Sequence, residues 1–122
     1  MSNHDRGLVN YFSGLSAEGS VISDYERRGY CLQATRWKGQ QGEIDVIARD
    51  GDSYVFVEVK KSRDFARAAE RVSPRQMRRL CNTAYEFLAA NALGLATHMR
   101  FDVAMVNMHG EVQIIENAFG EL

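Results

Sequence analysis

Three carboxylates and one ammonium stand where ionised side chains are disfavoured. Glu58 sits within Val55-Phe56-Val57-Glu58-Val59-Lys60, the most apolar run of the 122-residue chain. Asp45 sits within Ile44 to Ala48. Glu18 falls between Leu15 and Ile22, on the face that a helix would bury. A lone carboxylate taken out of water is costly unless it is paired, protonated or bound to a metal. Carboxylate oxygens are the hard ligands that Mg²⁺ and Mn²⁺ accept. A nearby Lys can orient or deprotonate a water, or stabilise charge on a phosphoryl oxygen. The ion itself polarises a phosphate and lowers the pKa of bound water. Glu18, Asp45 and Glu58 are therefore candidate ligands for a Mg or Mn divalent cation, and with Lys60 they are candidate catalytic residues. The alternative is an ion pair in which Lys60 neutralises Glu58 and Asp45 lies near a turn.

The elements that must position these groups follow from periodicity and turn chemistry. Glu43 to Arg49 and Asp52 to Lys60 read as two strands around Asp50-Gly51, a type I′ hairpin signal. With that turn Asp45 faces Phe56 and Glu43 faces Glu58. Cross-strand partners share a face, as do residues two apart. Asp45, Glu58 and Lys60 then lie on one side of the sheet, with Asp45 diagonal to Glu58. A three-residue loop with a bulge would break this parity.

Upstream, about Gly7 to Arg28 reads as a helix, with Leu8, Tyr11, Leu15, Ile22 and Tyr25 at three- and four-residue steps and Gly29 ending it. Tyr30 to Trp37 reads as a strand. Downstream, Ser73-Pro74-Arg75-Gln76 is a helix start. Ser73 caps, Pro74 suits the first position, and Gln76 completes a capping box. Met77, Leu80, Cys81, Ala84 and Leu88 give that helix one apolar face up to about Asn91. Met99 to Met108 is a further strand, and Val112 to Ile115 pairs back at an edge. The order is αβββαββ: an α/β fold with a mixed central sheet and flanking helices, in a single domain spanning residues 1–122.

Fifteen basic and sixteen acidic residues leave a net charge of −1, which by itself disfavours a polyanionic partner. The distribution is uneven. From Lys60 to Arg79 the chain carries +6, and the remainder carries −7. Arg75, Arg78 and Arg79 fall in the first turns of the second helix, where backbone N–H groups also favour anions. Beside an acidic site this stretch reads as a basic collar for a polyanion, since phosphate contacts need no base reading.

These residues resemble a family. Gly42-Glu43-Ile44-Asp45, a hairpin, and then Phe56-Val57-Glu58-Val59-Lys60 is similar to the YraN-like bacterial proteins, within the PD-(D/E)XK nuclease superfamily. Gly14 with Ala17-Glu18, Gly29-Tyr30 and Arg100-Phe101-Asp102 resemble further motifs of that family. The resemblance implies a restriction-endonuclease-like core and Holliday-junction-resolvase-like, divalent-metal-dependent phosphodiester cleavage. On it, Glu18, Asp45 and Glu58 take the acidic positions and Lys60 the motif lysine. Where the family often places a Lys after Ser-Pro-Arg, this chain has Gln76. Gln can still hydrogen-bond a phosphate or a metal-bound water.

The expected partner is nucleic acid, with DNA favoured, held by Lys61, Arg63, Arg75, Gln76, Arg78 and Arg79. A non-catalytic nucleic-acid-binding module that keeps the fold is the alternative. A homodimer would let a two-fold enzyme cut two strands, but the residues identify no dimer surface. Trp37 is placed either to stack on a base or to pack in its strand, and Glu43 either as an accessory ligand or as a turn acid. Asp102 is expected to pair with Arg100 or Lys60. His4, His98 and His109 lack metal spacing. Cys31 and Cys81 read as reduced core thiols. With no signal-peptide pattern and no run long enough to span a bilayer, a cytoplasmic, non-membrane protein is expected.

Overall fold

A computed structural model of the chain describes residues 17–61 and 72–120. Five strands form one sheet: β1 Cys31–Lys38, β2 Glu43–Asp50, β3 Ser53–Lys61, β4 Met99–Val106 and β5 Val112–Ile115. They lie in sequence order across the sheet, antiparallel except for the parallel pair β3–β4. Helix α1 (residues 17–27) precedes β1, and helix α2 (Pro74–Ala90) lies between β3 and β4. Among the described residues the order is αβββαββ with a mixed sheet, as expected, and it is consistent with a restriction-endonuclease-like core. Among the described residues no helix is long and apolar enough to cross a membrane. The part of the first helix expected before residue 17, with Leu8, Tyr11, Gly14 and Leu15, lies outside the described residues.

The two helices pack on separate apolar clusters. From α1, Ala17, Val21 and Tyr25 meet Val46, Val55, Val57 and Ala104. From α2, Leu80, Ala84, Phe87 and Leu88 meet Ile44, Ile47, Phe56 and Phe101. Each large side chain fully buried this way contributes roughly 1.5–3 kcal/mol. β3, with Tyr54 to Val57 buried, is the central strand that its composition predicts. α1 ends in a Schellman turn: Tyr30 N–H donates to Tyr25 O at 3.1 Å, Gly29 N–H to Glu26 O at 3.0 Å, and Gly29 takes φ +92°. The accompanying side-chain contact is Tyr25 against Tyr30, ring centroids 5.3 Å apart.

Three expectations are corrected here. The hairpin turn is Gly51-Asp52, since Asp50 pairs with Ser53. Of the two turn residues only Gly51 has positive φ, at +59°, the dihedral pattern of a type II′ turn with Gly first. Asp50 is thereby free to keep an extended conformation and join the ladder. The register moves by two, so faces are preserved, but Phe56 pairs with Ile47 and not with Asp45. β4 stops at Val106 and leaves Met108 exposed. Asn107 ends it, its Oδ1 accepting from the N–H of His109 and of Glu111 at 3.0 Å each. Cys31 is exposed, not a core thiol, while Cys81 is half-buried.

Candidate functional site

The site lies where two strands part. β2 pairs with β1 as far as Lys38↔Glu43, but with β3 only as far as Val46↔Val57. Asp45 stands at the fork, one step past the last β2–β3 pair and level with Glu58. Its Oδ2 accepts the Val59 N–H at 2.8 Å, closing across the gap a bond that a longer ladder would make with backbone. Alternation also breaks at this level. Ala34 and Trp37 pack on the same cluster as Ile44 and Ile47, a step of three along each strand where a regular strand requires two. Arg36 absorbs the break with φ +49°.

Glu58 faces α2. Lys60 Nζ lies 3.2 Å from its Oε1, with side-chain exposures of 19% and 12%. Gln76 Nε2 donates to the same oxygen at 3.2 Å. The ion pair proposed as the alternative reading is therefore present. It does not neutralise the site, because Asp45 is adjacent. Burial above all, and then the Asp45 charge, push the Glu58 carboxyl up to about 7 against the opposing effect of Lys60. Asp45 is also raised, mainly by burial and then by Glu18 and Glu43, against the Val59 hydrogen bond. Two like charges in a poorly solvated place favour retention of a proton.

Glu18 comes from α1, on the other side of the sheet, and the opening between β2 and β3 brings it within electrostatic reach of Asp45. It is held by Arg36, whose Nε donates to both of its oxygens at 3.1 and 3.2 Å. Glu18 is thus not drawn into one cluster with Asp45 and Glu58. Among the described residues, no three His, Cys, Asp or Glu side chains stand ready to share an ion. Asp45 and Glu58 themselves fit a divalent cation: they present hard oxygen donors, they are adjacent, and burial leaves their combined charge under-neutralised.

A cleft of about 550 Å³ opens over the pair, lined by Gly42, Glu43, Ser73, Arg75, Gln76 and Arg79 among others. Gly42 admits the close approach of the β1–β2 loop to α2. A Cβ there would come within 3.1 Å of Arg79 Cγ and of Thr83 Oγ1. Arg75 and Arg79, one helical turn apart, share this cleft. Arg78 does not line this cleft; it borders a different groove, with Met77, Cys81 and Asn82. Lys61 is exposed at the end of β3. Arg63 lies outside the described residues. Glu43 is exposed at the cleft edge. Trp37 packs edge-on against Phe87, centroids 5.4 Å apart, which favours the packed reading.

Two roles escaped sequence reasoning. The expected capping box is only half formed: Ser73 Oγ accepts the Gln76 N–H at 3.2 Å, but the Gln76 side chain goes to Glu58. Arg36 carried no signal, since nothing in Thr35-Arg36-Trp37 marks a left-handed residue. Asp102 pairs with Arg100, at 3.0 Å, and not with Lys60.

Fold and site together define a small α/β protein with a half-buried carboxylate pair at a fork in its sheet, under a cleft carrying arginines. The family model described as Uncharacterised protein family UPF0102 matches residues 17–106. The chain belongs to this family, which is the YraN-like family. It is 60% identical to a UPF0102 protein of Ruegeria pomeroyi over 115 residues, 94% of each chain. A UPF0102 protein of Roseobacter denitrificans is 56% identical over 115 residues, 94% of this chain and 89% of the relative. One from Cereibacter sphaeroides is 51% identical over 113 residues, 93% of this chain and 97% of the relative.

Proposed function

We propose that the protein is a metal-dependent phosphodiester hydrolase acting on DNA, with a resolvase-like endonuclease as the specific form. The observation that carries this reading is the adjacency of Asp45 and Glu58, both half-buried, beneath a cleft that also presents Arg75 and Arg79. Asp45 and Glu58 would hold Mg²⁺ or Mn²⁺, which supplies polarisation of the phosphate and activation of water. Lys60, already beside Glu58 Oε1, holds that carboxylate and presents an ammonium to developing charge. Arg75 and Arg79 bind backbone phosphates. Gln76 orients Glu58. The test is incubation of purified protein with Mg²⁺ or Mn²⁺ and linear, single-stranded and four-way-junction DNAs. The expected result is cleavage that Asp45→Ala and Glu58→Ala each reduce by about a thousandfold or more, the loss of several kcal/mol of metal-borne stabilisation. Absence of cleavage, or cleavage unchanged in both variants, overturns the reading.

A second reading, a nucleic-acid-binding module without catalysis, is favoured by one observation: Arg36 holds Glu18 apart from the other two acids. It requires salt-sensitive DNA binding that Arg75→Ala with Arg79→Ala weakens, and no metal-dependent cleavage.

A further inference from the structure

Arg36 combines a special backbone conformation with a side-chain contact to a second element. Its backbone is left-handed, at φ +49°, in the middle of β1, a conformation that persists for a non-glycine residue only where its surroundings over-determine it. It also stands level with Asp45, between the pairs Thr35↔Val46 and Trp37↔Ile44. Its Nε reaches Glu18 on α1, spanning both carboxylate oxygens at 3.1 and 3.2 Å. The Glu18 side chain is only 18% exposed. Without this counter-ion it would be a third weakly solvated carboxylate beside two others.

We propose that Arg36 is a positioning residue that occupies Glu18 in the cation-free protein, so that a divalent cation entering at Asp45 and Glu58 recruits Glu18 by displacing Arg36. The inference rests on the reading of Asp45 and Glu58 as a cation site. Its physical basis is competition. A guanidinium spanning both oxygens of Glu18 and a metal ion drawing on those oxygens cannot be served together.

The test is Mn²⁺ titration by calorimetry of the wild type, Arg36→Asn, Glu18→Gln and the double variant. Asn tolerates a left-handed backbone and removes the charge. The expected result is Mn²⁺ binding about two- to fivefold tighter in Arg36→Asn, the worth of a partly exposed ion pair, and no tightening when the same change is made in Glu18→Gln. Unchanged or weaker binding in Arg36→Asn overturns the inference. So does equal tightening in the Glu18→Gln background, which would mark a general field effect. Wild-type Mn²⁺ binding that Asp45→Ala abolishes and Arg36→Asn leaves unaltered overturns this inference alone. Absence of Mn²⁺ binding in every protein overturns it together with the reading beneath it. A measurement on the wild type needs no variant to fold: saturating Mg²⁺ should speed the exchange of the Arg36 Nε–H with water by NMR, and unchanged exchange overturns the exchange step.

Discussion

Asp102 and Glu58 occupy adjacent central strands one level apart, with Asp102 beside Val57 and Glu58 beside Val103. Both are acids in apolar runs, and they have opposite fates. Asp102 is 0% exposed and surrounded by donors. Tyr25 OH donates at 2.6 Å, Arg100 Nε at 3.0 Å and Asn117 N–H at 3.0 Å. Arg100 in turn donates to Tyr30 OH at 3.0 Å and lies over its ring. Burial and the Asp102 hydrogen bond push the Tyr25 phenol well above its ordinary range. Burial works against the Arg100 charge, yet its bonds to Asp102 and Tyr30 leave its pKa raised. This centre ties α1, β4 and the turn after β5 together. Glu58 has its donors on one oxygen and a second carboxylate beside it. A buried acid enclosed by donors holds a fold; a half-buried acid beside a second carboxylate is left with its charge incompletely compensated.

Four substitutions or conditions test the contrast. Asp102→Ala strands a partly buried arginine and should lower unfolding free energy by about 3–5 kcal/mol in urea titration. A loss below about 1 kcal/mol would mean that these bonds hold the fold no more firmly than an exposed ion pair does. Glu58→Gln should act in the opposite direction, raising cation-free stability at pH 7.5 by about 1–2 kcal/mol by removing one of two like charges. The same variant should lose Mn²⁺ binding in calorimetry. A destabilised Glu58→Gln would mean that Lys60 already satisfies the site.

Proton linkage gives the third test. Glu58 titrates near 7 in the folded chain and about 4.3 when unfolded, so between these values the native state binds more protons. Its contribution to stability is full below the unfolded value and is lost as pH rises through about 7. The melting temperature of the cation-free wild type should therefore fall relative to Glu58→Gln between pH 5 and 8, and Mn²⁺ should restore it. Parallel profiles for the two proteins would contradict the coupled pair. The smallest effect is that of Gln76→Lys. An added ammonium beside Glu58 should raise cation-free stability by about 0.5 kcal/mol and weaken Mn²⁺ binding about twofold. Tighter Mn²⁺ binding would show that Gln76 does not act through Glu58.

The element order, the central position of β3, the edge strand Val112–Ile115 and the α2 start at Ser73-Pro74 were all legible, because each rests on local periodicity or turn chemistry. The shared orientation of Asp45 and Glu58 was legible too, since a two-residue shift in register preserves faces. Their direct opposition was not, because it depends on which two residues form the turn. The functions of Arg36 and Gln76 were hidden for a related reason. An Arg in a strand and a Gln at the third position of a helix have ordinary local explanations, and only neighbours distant in the chain redirect them.

Residue type and spacing by themselves determined that acids are buried here, that a basic segment balances an acidic remainder, and that strands and helices alternate as they do. These are consequences of short-range sterics and of the cost of desolvating charge. Tertiary structure alone decided which buried acid is satisfied and which is not. That depends on where β2 leaves β3 and on donors brought in from Tyr25 and Asn117, far along the chain from Asp102.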